Sequence, residues 1–176
     1  MTENSPMGSV CSFPPEPNAL PREQRDALRA KQGRCVFGVE MKIVDDNDAE
    51  LPHDGKAFGA LKIRGPWVAS NYYKRTDSTA FDANGWFGTG DVATIDTLGY
   101  MQITDRTKDV IKSGGEWVSS IELENLAASP PAVAQAAVIS VAHERWQERP
   151  LLVVVLKPGQ TVTREQLLEF YLGKVA

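Results

Sequence analysis

The stretch from Gly85 to Glu124, GWFGTGDVATIDTLGYMQITDRTKDVIKSGGEWVSSIELE, constrains the fold more than any other part of the 176-residue chain. β-Branched runs alternate with short polar turns along it, which specifies two hairpins and then a helix. Val92–Asp96 pairs with Tyr100–Thr104 across Thr97-Leu98-Gly99, and Val110-Ile111 pairs with Trp117-Val118 across Gly114-Gly115. Ser119, with Glu122 three residues later, opens a helix to about Ala128, where Ser129-Pro130-Pro131 ends it.

Register decides what the first hairpin presents. With those strands paired, Asp91 and Arg106 fall side by side at its open end. A carboxylate only accepts hydrogen bonds, and its two oxygens suit the vicinal hydroxyls of a ribose. A guanidinium is always charged and suits ribose oxygens or phosphate. A nucleotide sugar fits between the two. Taken alone, they are as well served by a turn cap and a surface ion pair, which is the commoner arrangement.

The chain around this stretch is β-rich before Arg106 and mixed after it. Pro14–Pro21 reads as loop and Arg22–Lys31 as a short, charged surface helix. Gly38–Val44 alternates like a half-buried strand and Phe58–Arg64 returns beside it. Asp45-Asp46-Asn47-Asp48 between them lacks the glycine and closing glutamate of a calcium loop, so it reads as a solvated hairpin turn. Trp67, Tyr72 and Tyr73 read as packing residues. Beyond the second hairpin, Val133–Val141 and Leu151–Leu156 have strand length and Pro158-Gly159 makes a turn. Thr163 with Gln166 opens a last helix whose apolar face is Leu167, Leu168, Tyr171 and Val175, and which runs on with no Gly or Pro stop after Val175. The class is α+β.

Composition narrows the partners. A net charge of −4 argues against nucleic acid or an anionic membrane as the main partner. No apolar run approaches the roughly 20 residues that cross a bilayer, and residues 1–20 carry no signal-peptide pattern. Cys11 and Cys35 give neither a disulfide framework nor a metal spacing, which fits a reducing cytoplasm. His53 and His143 have no Ser, Cys or second His at a telling spacing and read as structural.

Phe87-Gly88-Thr89-Gly90-Asp91 resembles the aromatic-x-Thr-Gly-Asp ribose motif of the adenylate-forming enzymes, the superfamily of acyl-CoA synthetases, luciferases and peptide-synthetase adenylation domains. Asp105-Arg106-Thr107-Lys108-Asp109-Val110-Ile111-Lys112-Ser113-Gly114-Gly115 resembles its hinge motif, and Gly59–Gly65 its Gly-x-Leu-x-x-x-Gly strand. Lys112–Trp117 followed by Ser-Ser-Ile-Glu-Leu-Glu is most similar to the medium-chain fatty-acyl-CoA ligase branch, which includes methylmercaptopropionate-CoA ligases. Thr2-Glu3 resembles the end of the family's Gly-x-Thr-Glu segment.

The resemblance implies a β-rich distorted-barrel subdomain over residues 1–106, the end of a large AMP-binding domain, and a small mobile C-terminal domain over 107–176. It implies ATP, Mg²⁺ and CoA as cofactors and co-substrates, with a carboxylic acid as the remaining substrate. Asp91 and Arg106 would bind the ribose, Ile103 would pack near the nucleoside, Thr2 would touch phosphate and Glu3 would hold Mg²⁺. Lys108 would be the hinge. Lys112, as catalytic residue, and Gly115 would line the thioester-forming face, with Trp117 either beside that channel or in the core. Partners would include the missing N-terminal part of the enzyme, and a homo-oligomer is left open. No Ser/Thr/Gly-rich phosphate loop ending in Lys-Gly occurs, and the catalytic lysine of the small domain would lie past Ala176, since Lys174 lacks its Pro-x-x-x-x-Gly-Lys setting. The chain thus reads as part of an acyl-CoA ligase, inactive alone. The alternative is a stand-alone module that binds a nucleotide or a partner chain.

Overall fold

A computed structural model describes residues 2–12, 20–75 and 79–174. Most of the Pro14–Pro21 loop, and Val175, lie outside the described residues. The chain divides into two compact units, Met1–Thr107 and Lys108–Ala176. Both are built on antiparallel pairs, and with three helices the described fold is α+β.

In the first unit a 3-10 turn (Thr2–Asn4) leads to β1 (Ser9–Val10), helix α1 (Arg22–Arg29) and β2 (Arg34–Cys35), which pairs with β1. A four-stranded meander follows: β3 (Glu40–Val44), β4 (Phe58–Arg64), β5 (Phe87–Ile95) and β6 (Met101–Arg106). Burial alternates strictly along β4, as a sheet with one face on a core demands. That face carries Ile43, Leu61, Ile63, Phe87, Ala93, Ile95 and Met101. On the opposite face Lys62 is ion-paired to Asp48 at 2.5 Å and Asp82 at 3.1 Å. Trp86 takes Lys42 and Arg64 within 4.7 and 4.6 Å of its ring centroid, two cation–π contacts. The acidic loop is a turn in which Asp45 accepts from the N–H groups of Asn47 and Ala49.

The free edge of β6 is clipped by residues 31–33. Lys31 Nζ meets Asp96 at 2.5 Å, Gln32 N donates to Met101 O at 3.0 Å, and Met101 N donates to Gly33 O at 2.8 Å. Gly33 has φ +93° and a Cβ there would lie 2.2 Å from the Val10 carbonyl, so only glycine fits.

The second unit holds β7 (Ile111–Ser113), β8 (Glu116–Val118), α2 (Ser120–Ala128), β9 (Val133–His143), β10 (Gln147–Leu156) and α3 (Arg164–Tyr171), with sheet order β8-β7-β10-β9. Ile111, Leu123 and Val138 form its core, with Val118, Leu152 and Tyr171 against them. Ser119 Oγ accepts from Glu122 N at 3.2 Å, as the sequence predicts for the start of α2. Thr163 and Gln166 exchange both bonds of a capping box.

Three expectations change. The last helix ends at Tyr171, because Leu172 leaves helical torsions and Gly173 takes φ +73°: the stop signal is that glycine. Leu168 is half exposed, so Leu167 and Tyr171 carry the buried face. Tyr72 packs edge-on against Phe81, yet Tyr73 is 88% exposed and packs little.

Candidate functional site

The first site is built at the open end of the β5–β6 hairpin. Asp91 and Arg106 are direct cross-strand partners. Val92 opposes Asp105 and Ala93 opposes Ile103, so Thr104 is an extra residue in β6, a bulge that sets this register. Thr89 explains the Thr of Thr-Gly-Asp: its hydroxyl donates to Leu61 O and accepts from Asp91 N, both at 3.1 Å. Gly90, at φ +80°, lets the strand turn there, and its carbonyl accepts from Thr107 N. Asp105, 1% exposed, accepts from Arg106 N at 2.7 Å and fixes the backbone that carries the guanidinium.

The side chains are left less engaged than the backbone. Asp91 Oδ1 lies 4.0 Å from Arg106 Nε, beyond hydrogen-bonding distance. The Asp91 side chain is 23% exposed and that of Arg106 is 66% exposed. Among the described residues no donor reaches the Asp91 carboxylate within hydrogen-bond distance. A partly exposed carboxylate with open acceptor sites is free to take donors from a ligand.

Asp91 opens on a cleft of about 280 Å³, lined also by Asn4, Gln32, Thr89, Met101 and Ile103. Ile103 is 38% exposed at its wall. Glu3 stands in the same unit, with its carbonyl accepting from Ala69 N at 2.8 Å and its carboxylate from Tyr72 Oη at 3.0 Å. Its own backbone N–H and the Tyr72 hydroxyl hold its carboxyl below the usual range, while the same bond raises the Tyr72 phenol. An ionised, partly exposed carboxylate is a hard ligand of the kind Mg²⁺ takes singly beside substrate phosphates. Thr2 is exposed in the 3-10 turn next to it.

The second site is the β7–β8 turn. Gly114 and Gly115 both have positive φ, +63° and +88°. Gly114 N donates to Trp146 O at 2.9 Å, and a Cβ on Gly114 would lie 2.7 Å from the Trp146 ring. Gly115 has nothing within 4 Å of that position, so its surface is open. Lys112 N donates to Glu148 Oε2 at 2.8 Å, and its ammonium sits 4.8 Å from the Trp117 ring centroid. Trp117 is therefore a half-buried surface residue capped by a cation, and the core reading gives way. Lys108 is the first residue of this unit, in the turn before β7.

Sequence reasoning passed over Thr89, Asp105, Gln32 and Trp146. Thr89 and Asp105 lie inside the quoted motifs and could have been found there; Gln32 acts from the link after α1 and Trp146 from the turn between β9 and β10, and neither carries a local signal.

The pattern described as AMP-binding enzyme matches residues 1–73, and that described as AMP-binding enzyme C-terminal domain matches residues 122–175. The chain belongs to the AMP-binding enzymes. The 3-methylmercaptopropionyl-CoA ligase of Ruegeria lacuscaerulensis is 52% identical over 176 residues, and the medium-chain fatty-acid–CoA ligase of Ectopseudomonas oleovorans is 46% identical over the same span. Each alignment takes in all of this AMP-binding chain and 32% of the relative, so the chain spans about a third of their length. Among solved structures, ATP-bound MatB from Rhodopseudomonas palustris is 33% identical with a TM-score of 0.71, covering 84% of this chain and 29% of that one. o-Succinylbenzoate CoA synthetase (MenE) from Bacillus subtilis, complexed with its acyl-adenylate intermediate, is 30% identical with a TM-score of 0.72, covering 89% and 32%. Asp91, Arg106, Lys108 and Lys112 fall between the two matched patterns, within the alignment to the Ruegeria ligase.

Proposed function

We propose that this chain is part of an ATP-dependent acid:CoA ligase that makes acyl-AMP from a fatty or other carboxylic acid and passes the acyl group to CoA. In the first step a carboxylate oxygen attacks the α-phosphorus of ATP and pyrophosphate leaves. In the second the thiolate of CoA attacks the acyl carbon and AMP leaves. The observation that carries this reading is the Asp91 carboxylate, partly exposed at a cleft, 4.0 Å from its ion-pair partner. It would accept both ribose hydroxyls while Arg106 balances its charge, and Ile103 would wall the nucleoside. Glu3 would hold Mg²⁺, whose positive charge would offset the phosphates, and Thr2 would donate to a phosphate oxygen. In the second unit, the open face of Gly115 would let the narrow thiol arm of CoA approach backbone, with Lys112 lining that face and Trp117 beside it. Lys108 would absorb the torsional change between the two steps.

Exposed apolar side chains in the first unit, Phe37 at 95% beside the hollow lined by Met7, Val36 and Trp67, support the ligase over a stand-alone module. They suit the larger N-terminal part as a partner. No helix among the described residues is long and apolar enough to cross a membrane. Two free thiols suit the cytoplasm.

The intact ligase should exchange labelled pyrophosphate into ATP only when its acid is present, and form AMP with the thioester. The 176-residue chain alone should exchange none, because no phosphate loop ending in Lys-Gly is within it. Exchange by the chain alone, or ADP as product of the intact enzyme, would sink the assignment.

A further inference from the structure

The cleft beside Asp91 holds two polar groups whose hydrogen-bonding capacity the fold leaves open. The first is Gln32. Its Oε1 accepts from Ile103 N at 2.7 Å. A backbone N–H can only donate, so the carboxamide orientation is fixed: the oxygen faces β6 and the two N–H donors of Nε2 face away from it. Gln32 lines the cleft, and among the described residues Nε2 has no hydrogen-bond partner. Its backbone is held on both sides, its N–H to Met101 O at 3.0 Å and its carbonyl accepting from Ser9 Oγ at 2.9 Å. The second group is Asn4, whose Oδ1 is buried in the same cleft without a partner. Gly8 is pressed against the Asn4 carboxamide, since a Cβ there would lie 2.5 Å from its nitrogen. A buried acceptor and a positioned donor, both unspent in one cleft, are what a polar ligand would complete.

We infer that Gln32 is a ligand-contacting residue of the nucleotide site, donating from Nε2 to the bound adenylate while its oxygen holds Ile103 in place. Asn4 Oδ1 supplies an acceptor on the same cleft for a ligand O–H or N–H. One carboxamide thus couples recognition to the strand that carries Ile103 and Arg106. The inference rests on the nucleotide reading of this cleft given above.

The test uses AMP, titrated into the ¹⁵N-labelled intact ligase and followed by nuclear magnetic resonance, where glutamine side-chain N–H₂ signals are seen directly. AMP should shift the Gln32 side-chain pair together with the Asp91 and Ile103 amides. Adenosine and ribose 5-phosphate, titrated separately, assign the contact to the base or to the sugar phosphate. Gln32→Glu keeps an oxygen for Ile103 N–H and puts a second oxygen where the donors were. It should leave the melting temperature and the Ile103 amide signal in place while raising the AMP dissociation constant about tenfold, about 1.4 kcal/mol. Gln32→Leu should lose both the Ile103 signal position and the affinity. If Asp91 shifts with AMP but the Gln32 side chain does not, or Gln32→Glu binds like the wild type, the inference is wrong and the nucleotide reading stands. If AMP shifts neither Asp91 nor Gln32, the nucleotide reading falls and takes this inference with it.

Discussion

Replacing Gly114 by alanine should destabilise the second unit far more than the same change one residue later. Both glycines have positive φ, a region where an L-residue costs roughly 1–2 kcal/mol, less about 0.5–1 kcal/mol regained because alanine orders the unfolded chain. For Gly115 that is all, since nothing lies within 4 Å of its Cβ position, and the net cost is about 0–1.5 kcal/mol. At Gly114 the new Cβ would meet Trp146 Cε3 at 2.7 Å and Cζ3 at 3.0 Å, atoms of a rigid ring that cannot bend away. Pushing the ring off adds an overpacking cost of about 1–3 kcal/mol. The difference between the two variants therefore measures the Trp146 contact. Urea unfolding followed by fluorescence reads it, with Trp117 and Trp146 as reporters in the unit. Trp146→Ala should abolish the extra cost of Gly114→Ala, since the obstructing ring is gone. Equal costs for the two glycine variants, or an extra cost that persists without Trp146, would refute the reasoning.

Lys108→Pro in the intact ligase should freeze one set of torsions, leaving acyl-AMP formation largely intact while transfer to CoA falls by orders of magnitude; Lys112→Ala should likewise impair the second step more. Pyrophosphate exchange and single-turnover transfer from preformed acyl-AMP separate the steps, and equal losses in both for Lys108→Pro would point to misfolding. Lys31→Ala should cost about 1–2 kcal/mol at neutral pH by removing the partly buried partner of Asp96. Burial would raise the Asp96 carboxyl, but the Lys31 ammonium and the N–H groups of Tyr100 and Leu98 outweigh it and hold it low. Below pH about 4 the unfolded chain binds the proton first, so this stability is present above that pH and lost as pH falls through the folded value. Unfolding curves for wild type and Lys31→Ala should converge in acid, and a constant gap down to pH 2 would contradict the assignment.

The parts of this fold written in contiguous sequence were legible, and those that depend on distant strands were not. Phe58–Arg64 matches β4 residue for residue, because strict alternation of burial leaves one register. The pairing of Asp91 with Arg106 followed from hairpin length, although the Thr104 bulge that sets it carries no glycine to announce it. The end of α3 was missed because Gly173 was read as helix interior, where a single glycine is tolerated, although it takes a left-handed stop. For Trp117 the sequence left a place beside the channel or in the core, and what decides against the core, the cation over its ring, comes from β7. Gln32 was invisible for a further reason: its hydrogen bond to Ile103 spans 71 residues, and nothing local marks a glutamine after a helix as part of a cleft.

The central claim is that Asp91 holds the ribose of a bound nucleotide. Affinities of the intact ligase for AMP and for 2′,3′-dideoxy-AMP, each measured with wild type and Asp91→Ala, form a cycle that isolates that contact. The account predicts that wild type prefers AMP by about 1.5–3 kcal/mol, the worth of hydrogen bonds to a charged group, and that Asp91→Ala binds both ligands equally weakly. An undiminished preference for AMP in Asp91→Ala would mean that the carboxylate only shapes the turn, and would contradict the account.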